Sequence, residues 1–247
     1  MRPTLPAAPW PESSAVVGGR DLEKGGSWLA LSAAGRLAAV TNFRDGTRPK
    51  SGSRSRGLLV SDFVLSDLDP RRFLESVRTS RDLYDGFNLL VAANGELLHY
   101  ANVRDQINAL TPGVHGLSNH LLDTPWPKVQ RGKAALQRLL AGSPEALPAG
   151  LFDALGDTRP AAEEDLPRTG VSLEWERQLA SIFIRAAGYG TRASTLVLTE
   201  RAGSLAFIER NFAPDARPIE TRTLQFSGLQ SELSGVRSGA ASVWTSA

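Results

Sequence analysis

The sequence has no cysteine, a single methionine at Met1 and only three histidines among its 247 residues. Without cysteine, disulfide bonds, thiolate metal sites and thiol nucleophiles are excluded for the chain as written. The histidines are His99, His115 and His120. His115 and His120 are five residues apart, which is not the i, i+4 spacing that puts two ligands on one helix face. We therefore predict no metal site and no cofactor.

Long apolar runs are missing as well. No stretch approaches the ~18 residues that a membrane-spanning helix needs. The N-terminal segment MRPTLPAAPWPESS has no apolar region of the kind found in secretory signals. We therefore expect no membrane span and a cytoplasmic location.

Charge of one sign is not in large excess either. The formal net charge is +2, and the positive charges comprise 24 Arg and 4 Lys. So small a charge is a poor match for a polyanionic partner, and the sequence shows neither a recognition helix nor an aromatic and basic strand pattern. We expect no nucleic-acid partner, and nothing in the sequence predicts an oligomeric state.

What is present is the composition of a globular domain, with 41% hydrophobic and 22% charged residues. Three segments predict β-hairpins, because each places a glycine at a tight turn between two apolar runs. The turns are Ala34-Gly35, Asn94-Gly95 and Ala202-Gly203, and two further strand candidates are residues 181–185 and 220–226.

Helical patterns fall between these hairpins. Apolar residues recur at helical spacing over residues 56–66, and Asp69 followed by Pro70 predicts the capped start of a second helix. Two more helices are predicted over residues 127–142 and in the segment SPEALPAGLFDALGD that follows. This order indicates an α+β protein with mostly antiparallel sheet. We predict one domain over residues 1–226 and a flexible tail, rich in Ser, Gly and Ala, over residues 227–247.

Residues 111–129 read TPGVHGLSNHLLDTPWPKV. The three prolines and two glycines are unfavourable in a helix or a strand, while the scattered Val, Leu and Trp residues are not typical of a disordered linker. Ordered irregular connections of this kind often carry functional sites.

Six motifs occur in one order along the chain: GGSWLA, AVTNFRD, SRG, YDGFNLL, LTPGVHGLSNHLLDTPWPKV and GYGTRASTLVL. Together they resemble the NRDE family, also called the Transport and Golgi organization protein 2 family, from about Arg2 to Phe226. The resemblance implies an N-terminal-nucleophile hydrolase-like fold. That fold is a four-layer αββα sandwich, in which two antiparallel sheets stack face to face with helices outside.

In hydrolases of that fold, the first residue of the processed chain attacks a carbonyl and its own α-amine takes the proton, which suits a Cys, Ser or Thr. The resemblance also implies a chain that begins Met-Cys and carries an Asn-Arg-Asp-Glu motif shortly before the sequence Arg-Pro-Thr. Here Arg2, Pro3 and Thr4 stand at the start. We therefore expect the first strand, the nucleophile and the naming motif to lie upstream of Met1, or to be absent from a shortened member.

By the same resemblance, the candidate catalytic residues are Asn42, Asn119 and Arg192. Asn42 near a strand end and Asn119 in the irregular loop would donate amide N–H groups to a developing oxyanion. Arg192 would hold a carboxylate or adjust the pKa of the nucleophile. The alternatives are structural: Asn42 caps a strand, Asn119 shapes its loop through bonds to the backbone, and Arg192 is an exposed strand residue.

The candidate substrate-binding residues are Trp28, Arg44, His115 and Tyr189. Gly188 and Gly190 flank Tyr189 and would let the backbone approach closely there. Arg44 belongs to a basic loop in which a phosphate-bearing ligand such as a coenzyme A ester would dock, although such a loop is commonly just solvated. A tryptophan such as Trp28 is more often a core or loop anchor than a substrate platform.

The implied function is hydrolysis of an amide or thioester by a nucleophile that this chain does not contain. The alternative is a non-catalytic binding or carrier protein for a lipid, acyl-CoA or haem ligand. Haem ligation by a side chain is disfavoured, because cysteine is absent and the only methionine is Met1. In either case the expected partner is a small-molecule or acyl ligand.

Overall fold

The structure is a computed structural model that describes residues 3–49, 51–199, 204–226 and 241–246. Its larger sheet is antiparallel, with seven strands side by side in chain order. They are β1 (Thr4–Trp10), β2 (Ser13–Asp21), β3 (Leu29–Ser32), β4 (Leu37–Asn42), β5 (Phe87–Ala93), β6 (Glu96–Ala101) and β7 (Gln106–Ala109).

A smaller sheet, also antiparallel, has its four strands in the order β12-β11-β10-β13. They are β10 (Ala193–Thr199), β11 (Leu205–Phe212), β12 (Pro218–Phe226) and β13 (Ala241–Ser246). Two very short strands, β8 (Arg185–Ala186) and β9 (Tyr189–Gly190), pair with each other before β10 begins.

The helices of the described residues are α1 (Gly57–Val64), α2 (Pro70–Thr79), α3 (Pro127–Leu140), α4 (Leu147–Leu155) and α5 (Leu173–Gln178). Asp69 caps α2 as predicted, since its carboxylate accepts hydrogen bonds from the backbone N–H groups of Arg71 and Arg72 at 3.0 and 3.2 Å. Within the part of the chain that the structure describes, no helix has the length and apolar character needed to cross a membrane.

Helices cover one face of the larger sheet. Val16, Ala30 and Leu89 point to this face and form a cluster with Phe63 of α1 and Leu74 of α2. All five side chains are almost completely buried. Because side chains alternate along a strand, the neighbours of these sheet residues point the opposite way.

The opposite face of the larger sheet packs on the smaller sheet. Val17 and Leu31 meet Val197 and Phe207 there in a second cluster. The outer face of the smaller sheet is covered by α3 and α4 in a third cluster, made of Leu136, Leu139, Leu151, Phe152, Leu155, Leu196 and Ile208. The layers therefore run helix, sheet, sheet, helix, and the prediction of a mixed protein with antiparallel sheets is confirmed.

The predicted hairpins are found where the turns can be seen. Asn94 and Gly95 have φ angles of 53° and 78° between β5 and β6, the pair of positive values that a type I′ turn requires. Gly35, between β3 and β4, has φ 77°. Strands β10 and β11 pair as predicted, and the turn at residues 202–203 lies outside the described residues.

The strand predicted over residues 181–185 is wrong, because only Arg185 enters a strand. The backbone here bonds to other groups instead of a ladder. Phe183 N donates to the Asp157 carbonyl at 2.9 Å, and Ile184 N donates to Thr191 Oγ1 at 2.9 Å. Phe183 and Ile184 are buried within this irregular connection.

Strands β1 and β2 have no counterpart in the sequence-based prediction, since Pro6 and Pro9 argue against a strand. The two prolines are tolerated because β1 lies at the edge of the larger sheet. Its pairing with β2 is irregular around Ala7. There Ala7 N donates instead to Glu209 Oε1 of the smaller sheet at 2.7 Å, so a side chain of one sheet satisfies the backbone of the other.

The predicted tail differs from the structure in its last part. Residues 227–240 and 247 lie outside the described residues, whereas Ala241–Ser246 form β13, which pairs with residues 193–198 of β10. The edge of β10 supplies hydrogen-bonding partners for the backbone of these six residues, and the flexible tail stays a prediction.

Candidate functional site

An irregular loop, residues 111–126, is held against the ends of β4 and β5. Asn88 of β5 is completely buried. Its Nδ2 donates to Thr41 Oγ1 at 3.2 Å and to the His120 carbonyl at 2.9 Å. Thr41 Oγ1 donates in turn to the Ser118 carbonyl at 2.9 Å. Polar side chains of the sheet therefore fix the path of the loop.

His99 of β6 extends this network beneath the loop. Its Nε2 lies 3.0 Å from Asn88 Oδ1, and its buried Nδ1 has no hydrogen-bond partner among the described residues. Burial lowers the pKa of His99 to about 4. The ring is therefore neutral near pH 7, with the proton on Nε2, because Asn88 Oδ1 can only accept.

Asn42 and Asn119 meet at the end of β4. Asn119 Nδ2 donates to the Asn42 carbonyl at 3.1 Å, and the Asn119 carbonyl accepts from Arg44 N at 2.6 Å. The Asn42 side chain is exposed and makes no hydrogen bond within the described part of the chain. Of these two amides, that of Asn42 is accessible to a ligand, whereas that of Asn119 holds the loop to the strand.

Arg44 follows β4 and forms a buried ion pair with Glu176 of α5. Arg44 Nη1 lies 2.9 Å from Glu176 Oε2, and the two side chains are only 10% and 4% exposed. Glu176 Oε1 accepts from the N–H and hydroxyl of Thr169, both at 2.7 Å. The Arg44 guanidinium also lies over the Trp126 ring, 4.9 Å from its centroid. Burial lowers the pKa of Arg44, and the Glu176 carboxylate opposes that change.

Lys128 adds a second buried cation beside this pair. Its Nζ donates to the Leu179 carbonyl at 3.0 Å and lies 6.0 Å from the Trp126 ring centroid. Burial, and secondarily the Arg44 charge, lower the pKa of Lys128 to about 7. The hydrogen bond from Lys128 to the Leu179 carbonyl joins the start of α3 to the end of α5.

Tyr189 of β9 completes the group on its exposed side. Its ring meets Trp175 of α5 edge to face, with centroids 5.8 Å apart, and the two residues are 43% and 41% exposed. Burial raises the pKa of Tyr189, while the Arg44 guanidinium acts to lower it. Tyr189 therefore lies within the electrostatic influence of Arg44.

His115 belongs to a separate network within the loop. Its Nδ1 lies 2.9 Å from Asp123 Oδ2 and its Nε2 lies 2.9 Å from the Thr111 carbonyl. Asp123 Oδ1 accepts from Lys133 Nζ at 2.5 Å. The bond to Asp123 raises the pKa of His115, consistent with a ring whose two nitrogens both face acceptors. His115 closes the loop on α3 and does not contact the Arg44 group.

These features can be compared with known proteins. A family described as Transport and Golgi organisation 2 has a sequence profile that matches residues 1–214. The chain belongs to this family. A Transport and Golgi organization 2 homolog from Mus musculus is 36% identical over 248 residues, which cover 93% of this chain and 89% of the mouse protein.

Two further relatives of the Transport and Golgi organization 2 family show similar coverage. The homolog from Homo sapiens is 35% identical over 253 residues, or 93% of this chain and 89% of the human protein. The protein from Drosophila melanogaster is 28% identical over 231 residues, or 84% and 81% of the two chains. The family membership predicted from the six motifs is confirmed.

In this family member, three of the predicted residues are in contact at the end of β4: Asn42, Arg44 and Asn119. Tyr189 packs instead on Trp175 of α5. Trp28 lies elsewhere, between the two sheets, where it packs against the inter-sheet cluster. Its ring covers Gly19 so closely that a Cβ at Gly19 would clash with it. Trp28 therefore packs between the sheets, and the substrate-binding role predicted for it stays a prediction.

Arg192 stands directly before β10, three residues after Tyr189. Its carbonyl accepts a hydrogen bond from Phe212 N at 2.9 Å, which fixes the backbone at the start of the smaller sheet. Its side chain is partly buried. The catalytic role predicted for it stays a prediction.

Several residues of the site have no counterpart in the sequence-based prediction. Asn88 and His99 were detectable, because each is a polar residue inside an otherwise apolar strand sequence, FNLLVAA and ELLHYA. Glu176 and Lys128 carried no such signal, since both sit in polar helical segments. Their burial depends on which helices meet around Trp126. Among the described residues, no three His, Asp or Glu side chains are grouped to hold a metal.

Proposed function

We propose that this protein has an N-terminal-nucleophile hydrolase-like fold and binds an acyl ligand, an amide or thioester, at the end of β4. The helix, sheet, sheet, helix order of its layers supports the fold. Membership of the Transport and Golgi organization 2 family supports the same architecture through the motifs that the chain carries. A cytoplasmic location without a nucleic-acid partner is part of the proposal, and cell fractionation tests the location.

The observation that carries the ligand proposal is the exposed Asn42 amide beside the desolvated Arg44. An amide N–H is a suitable donor to a ligand carbonyl oxygen. Arg44 uses Nη1 for Glu176, and its remaining N–H groups are suited to a carboxylate or phosphate of the same ligand. Tyr189 and Trp175 supply exposed aromatic surface next to these groups.

Binding requires only the groups described above, whereas hydrolysis requires an N-terminal nucleophile as well. We therefore place binding first and hydrolysis second. Haem ligation receives no support from His99 or His115. His99 is buried, and both nitrogens of His115 face acceptors.

One titration distinguishes ligand binding from hydrolysis. Octanoyl-CoA is added to the protein in a calorimeter, and thiol release is followed in parallel with a chromogenic thiol reagent. Because the chain has no cysteine, every thiol detected comes from the ligand. Saturable binding without thiol release supports the carrier function, and steady thiol release supports the hydrolase. Neither binding nor release would overturn the proposal.

The variant Asn42→Ala locates the ligand. We expect it to weaken octanoyl-CoA binding by about tenfold, which corresponds to one lost hydrogen bond to a carbonyl. Its free energy of unfolding should stay within ~0.5 kcal/mol of the parent, because the side chain is exposed. The control is Gln137→Ala on α3, which removes an exposed side-chain amide away from the end of β4. Equal affinities for the parent and Asn42→Ala would place the ligand elsewhere.

A further inference from the structure

A cavity of about 450 Å³ lies between α3 and α4, on the outer side of the smaller sheet and apart from the end of β4. This volume falls within the roughly 300–1,000 Å³ of small-molecule sites. One wall is a single face of α3, formed by Arg131, Ala134, Ala135 and Arg138 at helical spacing. Alanines in the middle leave room, and the charges stand at the two ends.

The two helices run antiparallel along this groove. Leu139 near the end of α3 packs on Gly150 near the start of α4, where a Cβ would clash with it. Arg131 near the start of α3 reaches Asp157, just past the end of α4, at 3.0 Å. The two ends of the groove are therefore separated by about 10 Å, the rise of seven helical residues.

The charges at the Arg131 end are already paired. Asp157 accepts from Arg131 Nε at 3.0 Å and from Arg159 Nε and Nη2 at 2.9 and 2.7 Å. The bonds from Arg159, with the charge of Arg131, lower the pKa of Asp157 to about 2. This end is a closed ion-pair network that needs no ligand.

The Arg138 end is different. Neither Arg138 on α3 nor Asp153 on α4 has a side-chain hydrogen bond or an ion pair within the described residues. Asp153 is three residues past Gly150, a rise of about 4.5 Å, so it lines the groove about one turn away from the level of Arg138. A single anion at Arg138 would be repelled by Asp153, and a single cation at Asp153 would be repelled by Arg138.

We propose that this groove binds a small zwitterion of the amino-acid class. Its carboxylate pairs with the Arg138 guanidinium, which is suited to bidentate binding. Its ammonium group pairs with the Asp153 carboxylate. An apolar side chain lies along Ala134 and Ala154, toward Ile182. One unpaired cation and one unpaired anion on facing helices match the two charges of such a ligand, and the small residues leave space for its body.

Calorimetry with L-leucine tests the proposal directly. Two analogues each remove one charge: 4-methylpentanoate lacks the amine, and 3-methylbutylamine lacks the carboxylate. We expect saturable binding of leucine and at least tenfold weaker binding of both analogues. Phosphoethanolamine serves as a fourth ligand, and tighter binding of it than of leucine would replace the amino-acid class by a headgroup class and overturn the proposal as stated.

Variants assign each charge to its residue. Arg138→Gln should weaken the binding of leucine at least tenfold. It should also abolish the preference for leucine over 3-methylbutylamine. Asp153→Asn should abolish the preference for leucine over 4-methylpentanoate. Ala134→Leu should block all ligand binding, because the larger side chain fills the groove. A leucine residue at position 134 remains compatible with the helix. The matched control is Gln137→Ala, next to Arg138 but outside the cavity lining, which should leave affinity unchanged.

The outcomes are decisive because these side chains are exposed and their replacement should not unfold the protein. No saturable heat with leucine at millimolar concentrations overturns the proposal. Equal binding of leucine and both analogues also overturns it. Octanoyl-CoA binding should be identical in the parent and Arg138→Gln, so a negative result here leaves the acyl-ligand proposal standing on its own test.

Discussion

At the scale of single residues, Arg44 has a structural position in addition to the ligand-binding role proposed for it. Its ion pair with Glu176 is almost completely desolvated, and removal of one partner leaves a buried charge without its counterion. We expect Arg44→Gln to lower the free energy of unfolding by about 3 kcal/mol, measured by urea denaturation. Arg48→Gln makes the same charge change in the same loop at an exposed position and should cost less than about 0.5 kcal/mol. Similar losses in the two variants would contradict the buried ion pair.

The burial of His99 makes the free energy of unfolding depend on pH below neutrality. Burial lowers its folded-state pKa to about 4, below the ordinary value near 6.5. Between these two pH values the unfolded chain binds the proton and the folded chain does not, so stability is full above pH 6.5 and falls as the pH drops toward 4. This group should account for a loss of about 3 kcal/mol between pH 7 and pH 4.

The variant His99→Gln isolates that contribution. Glutamine keeps an N–H that can donate to Asn88 Oδ1 but does not titrate. Denaturation of the parent and the variant at pH 7, 5.5 and 4 should therefore show a shallower decline for the variant. Parallel pH profiles would mean that the pKa of His99 is not lowered in the folded state.

At the scale of elements, the loop of residues 111–126 depends on Asn88 for its attachment to the larger sheet. Asn88→Ala removes the donor to the His120 carbonyl and the acceptor for His99 Nε2. We expect faster hydrogen exchange at Gly116, Asp123 and Trp126, whose N–H groups bond only within the loop. Exchange in α1 and α2 serves as the internal control and should not change. Unchanged loop exchange would show that the loop is held by other contacts.

Prediction from sequence succeeded where local chemistry decides the outcome. Asn94 and Gly95 define a hairpin, and Asp69 with Pro70 defines the start of α2, without any information from the rest of the chain. It failed where a distant partner decides. Residues 181–185 look like a strand but bond to Asp157 and Thr191, and β1 contains two prolines that only an edge position permits.

The candidate site shows the same division. Asn42 and Asn119 were found through their motifs, and the structure places them in contact. Glu176 and Lys128 could not be found, because nothing local distinguishes a helical Glu or Lys that becomes buried from one that stays solvated. The partners that bury them come from β4, α3 and α5, so they follow only from the assembled fold.

At the scale of the whole molecule, Glu209 links the two sheets. Its fully buried carboxylate accepts from Ala7 N of the larger sheet and from Thr195 and Asn211 of the smaller one. Burial raises the pKa of Glu209. Above the ordinary Glu value of 4.5, the folded state therefore holds this proton more tightly than the unfolded state, and stability falls as the pH rises through the raised pKa.

Two substitutions at Glu209 separate its charge from its hydrogen bonds. Glu209→Gln keeps an oxygen for Ala7 N and should unfold at pH 7 with a free energy equal to the parent's or higher. Glu209→Ala leaves Ala7 N without a partner and should lose about 2 kcal/mol. Denaturation at pH 5 and pH 7 measures both. Equal losses of unfolding free energy in the two variants would show that the negative charge of Glu209 itself joins the sheets.

The bond between the Asn119 amide and the Asn42 carbonyl has a consequence for the speed of ligand capture. Any ligand that takes the Asn119 amide must wait until the loop releases it, so the observed association rate would rise with ligand concentration and then level off at the rate of loop release. A ligand that needs only Asn42 meets no such delay, and its rate would stay proportional to concentration. Stopped-flow traces of octanoyl-CoA binding would thus reveal which of the two asparagines the ligand uses.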